Sequence, residues 1–71
     1  MQLHNDLLPF ELRYESLSNA GRALCFPCDE GGHVPLDMLS ERARTNLLFV
    51  RAAVGRDYAY PRICPMTAQN A

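Results

Sequence analysis

No run in this chain approaches the roughly 20 consecutive apolar residues that a membrane-spanning helix needs. The first residues, MQLHNDLLPFELR, lack a basic start followed by an apolar stretch, so they do not read as a signal peptide. Excess positive charge is missing as well. Seven Lys and Arg against eight Asp and Glu leave a net charge of −1, which removes any global pull toward nucleic acid or anionic membranes. The three cysteines are an odd number and make a poor disulfide framework. With no secretory signal, a cytoplasmic setting with reduced thiols is expected. There is no internal repeat and no low-complexity segment.

What is present fits a small folded domain. The chain has 71 residues, 48% of them hydrophobic and 21% charged, a balance that argues against disorder throughout. A chain this short buries only about 60% of the surface it exposes when unfolded. Small domains often add a metal, disulfides or a partner chain to that limited core.

Residues 1–10 read as an irregular N-terminal arm. Residues 11–56 carry the pattern of a ββ(β)α domain, and residues 57–71 read as an extended C-terminal tail. Leu12 and Tyr14 alternate with Arg13 and Glu15, which predicts a strand over 11–17. Turn residues Ser18–Gly21 lead to a second predicted strand over 22–27. Asp29–Gly32 supplies another turn, and His33–Leu36 reads as a short third strand. Pro27 and Pro35 place their strands at sheet edges, since proline donates no ladder hydrogen bond. A helix is expected from about Met38 to Val54, with Asp37 as N-cap, Glu41 in its first turn and Gly55 ending it. The fold class is therefore α+β: a three-stranded antiparallel β-meander packed against one C-terminal α-helix, with an extended tail.

At 100° per residue, Leu39, Ala43, Leu47, Val50 and Val54 share a sector about 80° wide and should face the sheet. Met38, Leu48, Phe49 and Ala52 fall on a second side. Three short strands cover one side of such a helix, so the second needs the arm, the tail or another chain. Tyr58 and Tyr60, in the tail, are the aromatics able to cover it or to join it.

The stretch Cys25–Met38, CFPCDEGGHVPLDM, resembles the zinc knuckle of retroviral nucleocapsid-type proteins, whose pattern is C-x2-C-x4-H-x4-C. The resemblance spans 14 of the 71 residues and implies a metal-binding module contacting nucleic acid, with Cys25, Cys28 and His33 as zinc ligands. The fourth ligand position falls on Met38, whose thioether suits copper(I) better than zinc. Without metal, Cys25 and Cys28 are strand residues behaving as small hydrophobes. A redox role for the C-x-x-C pair would call for a helix N-terminus at the first cysteine. A cysteine–histidine nucleophile pair could draw only on Cys25 or Cys28 with His33 or His4, with no third group to orient them.

Arg44 and Arg51 lie seven apart on one stripe of the expected helix, where they could meet nucleic acid. A solvated face or the rim of a protein interface suits the net charge better. The expectation is a non-enzymatic interaction module with no cofactor. It would self-associate as a homodimer, or bind a larger protein, through Met38, Leu48, Phe49, Ala52, Tyr58 and Tyr60.

Overall fold

The alternation of Leu12 and Tyr14 with Glu11, Arg13 and Glu15 does form a strand, and that strand is the centre of the sheet. A computed structural model describes residues 9–66. Within them the elements run β1 (Phe10–Glu15), β2 (Ala23–Cys28), a single 3-10 turn at Leu36–Met38, α1 (Glu41–Ala53) and β3 (Arg62–Pro65). Both β2 and β3 pair antiparallel to β1, giving the order β2-β1-β3. The architecture is thus the expected α+β arrangement of three antiparallel strands and one helix. Residues 1–8 of the expected arm and 67–71 of the tail lie outside the described residues.

The third strand is not where the turn pattern placed it. His33–Pro35 form no strand, and Pro35 instead precedes the 3-10 turn. The reason is Asp29. Its Oδ1 accepts the amides of Gly31 and His33, each at 2.9 Å, while its own amide donates to the His33 carbonyl at 3.2 Å. These bonds close the segment on itself as a loop, with Gly32 at φ +85°. The open edge of β1 is filled by Arg62–Pro65, from the segment expected to be extended tail. The helix is therefore followed by a strand.

The helix also starts later than the periodicity suggested. Ser40, not Asp37, is the N-cap: its Oγ accepts the Ala43 amide at 3.1 Å. Asp37 lies inside the 3-10 turn, and so does Met38, which leaves the second helix side. At the other end Gly55 takes φ +90°, as expected, and the amides of Arg56, Asp57 and Tyr58 converge on the Ala53 carbonyl at 2.8–3.2 Å.

The core lies between α1 and the inner face of the sheet. Leu12 and Tyr14 of β1, with Phe26 and Cys28 of β2, meet Leu39, Leu47 and Val50. Tyr14 and Phe26 contact edge to face, with centroids 6.1 Å apart. Ala43 and Val54 pack against this cluster, so the predicted inner sector of the helix is the observed one, and Ala53 joins it as a further buried residue. No polar or charged side chain is buried among the described residues.

On the outer sheet face, Glu15 bridges two strands. Its Oε2 accepts from Arg13 Nε at 3.0 Å and from Arg62 Nη2 at 3.2 Å. Arg13 and Arg62 are register partners, so this carboxylate clasps β3 to β1. The hydrogen bond from Arg13 holds the Glu15 carboxyl below its ordinary range. No helix among the described residues is long and apolar enough to cross a membrane.

Candidate functional site: the outer side of the helix

The zinc-knuckle residues do not come together. A strand turns its side chains to alternate faces, and β2 continues through Cys28 instead of turning before it. Cys28 therefore points into the core, fully buried, while Cys25 points to the outer face, exposed. Two thiolates on opposite sides of one strand cannot share an ion. His33 stands on the loop, with Nδ1 3.3 Å from both oxygens of the Asp29 carboxylate. Met38 is in the 3-10 turn. Among the described residues no group of three His, Cys, Asp or Glu side chains could hold a metal ion.

The surroundings of Cys25 and Cys28 also disfavour their thiolates. Partial desolvation by neighbouring side chains, and then the nearby Glu11 carboxylate, push the Cys25 thiol up, although Arg13 Nη1 at 3.6 Å acts against this. Burial raises Cys28 likewise. Metal ligation and nucleophilic attack both need the thiolate. Cys64 lies on β3 opposite Glu11, across the sheet from either cysteine of the C-x-x-C pair. His4 lies outside the described residues.

The arginines divide. Arg44 Nη1 donates to the Leu36 carbonyl at 3.1 Å, tying the 3-10 turn to the helix. Arg51 is exposed in the last helical turn, where its charge suits the negative end of the helix dipole. The two share a flank of the helix but not a task.

Of the expected second apolar side, Leu48, Phe49 and Ala52 stay together on the helix, without Met38. Leu48 and Phe49 are 64% and 55% exposed, and Ala52 is exposed one turn on. Leu47, between them and the sheet, is completely buried. Among the described residues the tail reaches this surface through Tyr58. Tyr58 packs edge to face on Phe49, with centroids 6.2 Å apart, whereas Tyr60 is 78% exposed and covers nothing there. Met38, 49% exposed, flanks the helix from its N-terminal side. Beside Phe49 and Tyr58 opens a depression of ≈ 270 Å³, lined also by Ser16, Ser18, Asn19, Arg22 and Asp57.

Sequence reasoning passed over two exposed residues on this side, Glu41 and Thr45. They continue the row that Leu48 and Ala52 occupy, at spacings of four, three and four. That spacing is the available signal, and polar identity hid it. Comparison with protein-family models, curated proteins and solved structures finds no match to this chain.

Proposed function

We propose that this chain is a small non-catalytic interaction module that pairs with a second copy of itself through the outer side of α1. One observation carries the reading: Leu48 and Phe49 stay more than half exposed after the sheet has taken the inner side of the helix. Isolated exposed apolar residues are ordinary on protein surfaces. Here two large ones are adjacent, Ala52 extends them, and Arg44 and Arg51 border them, an apolar centre with a charged rim. A two-fold pair is the commonest way to cover such a surface. The non-catalytic part of the reading is supported by Cys25 and Cys28 lying on opposite faces of β2 and by surroundings that push both thiols up.

Sedimentation equilibrium over a wide concentration range tests the proposal. The wild-type chain is expected to show a reversible monomer–dimer equilibrium. Phe49→Asp would put a carboxylate in the apolar centre and weaken it by about tenfold or more. A chain that remains monomeric up to millimolar concentration would overturn the reading, as would a dimer indifferent to Phe49→Asp.

A further inference from the structure

We infer that the two helices of the pair run antiparallel, each Glu41 meeting Arg51 of the second copy. The inference rests on the self-association proposed above and adds the orientation of the two chains. The outward row of α1 is Glu41, Thr45, Leu48 and Ala52, all exposed, with the four-three-four spacing of a helix–helix seam. Phe49 borders this row on one flank, and Arg44 and Arg51 border it on the other.

The ends of the row differ in charge. Glu41 opens the helix and Arg51 lies in its last turn. A parallel pair would set Glu41 against Glu41 at one end and carry the two Arg51 to opposite sides of the seam with no acid level with them, with the helix dipoles aligned side by side. A two-fold axis across the middle of the row does the reverse. Thr45 comes level with Leu48 of the second copy, and Glu41 comes level with its Ala52 and beside its Arg51. Both ends of the seam then carry an opposite-charge pair. The same axis keeps each flank against its counterpart, so the two Phe49 rings approach each other. The two Arg44 side chains share the opposite flank, but each guanidinium is turned back to its own Leu36 carbonyl at 3.1 Å.

Glu41 and Arg51 have no means of pairing within one chain. Ten residues of helix separate them by about 15 Å along the axis. A seam of this length, about 20 Å, is shorter than a standard interface provides, so the pair is a weak and reversible one. In such a contact the end charges decide orientation more than strength.

Charge reversal tests the orientation. Glu41→Arg and Arg51→Glu are made singly and together, and dimer dissociation is measured by sedimentation, with helix content followed by circular dichroism. Each single variant is expected to weaken the dimer about fivefold, within the range of partly exposed ion pairs. The double variant is expected to return to within about twofold of wild type. Loss of helix stability cannot imitate that recovery, because both substitutions oppose the helix dipole and the double variant opposes it most. A double variant weaker than either single one would overturn the antiparallel arrangement while leaving self-association standing. Absence of a wild-type dimer would instead remove the proposed function, and the orientation with it.

Discussion

Phe49 and Tyr58 pack edge to face with their ring planes at 86°, yet Phe49 keeps more than half its surface in solvent. The backbone explains how both can hold. The Tyr58 amide donates to the Ala53 carbonyl, its carbonyl accepts the Gly55 amide at 2.7 Å, and it bridges to Ser16 of the chain leaving β1. Tyr58 is thus fixed as a buttress against one edge of the Phe49 ring. A side chain held on one side loses less freedom when its other side is covered, which favours docking.

Leu47 and Leu48 are chain neighbours with opposite environments, the first fully buried and the second 64% exposed. Leu47→Ala is expected to destabilise the fold by about 2–5 kcal/mol through lost burial and a cavity. Leu48→Ala should change monomer stability by no more than about 0.5 kcal/mol. Urea unfolding at dilute concentration checks both. Comparable losses would mean that Leu48 is covered within the monomer.

The position of the helix start has a direct test in two side chains. Ser40→Ala removes the acceptor that the Ala43 amide uses at 3.1 Å and is expected to cost about 1 kcal/mol. Asp37→Ala, in the 3-10 turn before the helix, should cost less than half as much. Thermal melts of the two variants give the comparison, and a larger loss at Asp37 would return the cap to that residue.

Asp29 gives the 29–33 loop an acid sensitivity. Backbone hydrogen bonds from His33 and Gly31, and the His33 ring, hold its carboxyl below the ordinary aspartate value. A carboxyl lowered in the folded state stabilises the fold above its unfolded pKa, and the contribution is lost as pH falls through the folded pKa. The loop should therefore stay closed at neutral pH and loosen only below the ordinary aspartate range. The Gly31 and His33 amide resonances are expected to titrate together with a midpoint below that range. A midpoint at or above it would contradict the bonding described, and Asp29→Ala should abolish the titration.

The readings that survived rest on periodicity. The alternation in Glu11–Glu15 and the inner sector Ala43, Leu47, Val50 and Val54 are properties of side-chain order, because strand and helix geometry alone decides which residues share a face. The exposed pair Leu48 and Phe49 follows from the same count. The misread parts are those where a local pattern competed with a distant partner. His33–Pro35 has an extended composition, but the Asp29 carboxylate takes the His33 amide and Pro35 has none to donate. Arg62–Pro65 has almost no strand signal, yet it lies where β1 has an open edge. The zinc-knuckle likeness matched three of four ligand positions by spacing and lost its meaning once β2 ran through Cys28.

By itself, then, the order of residues determined one helix with two apolar sides, a hairpin of the first two strands, and a glycine stop at Gly55. Those features depend on propensity and on the repeat of a single element, which neighbouring residues carry. Only the tertiary structure decided which segment became the third strand, that Cys25 and Cys28 part to opposite faces, and that Tyr58 reaches Phe49 while Tyr60 does not. Each of those depends on pairing between residues far apart in the chain, and the hydrogen bonds and contacts that select a partner exist only once the chain has folded.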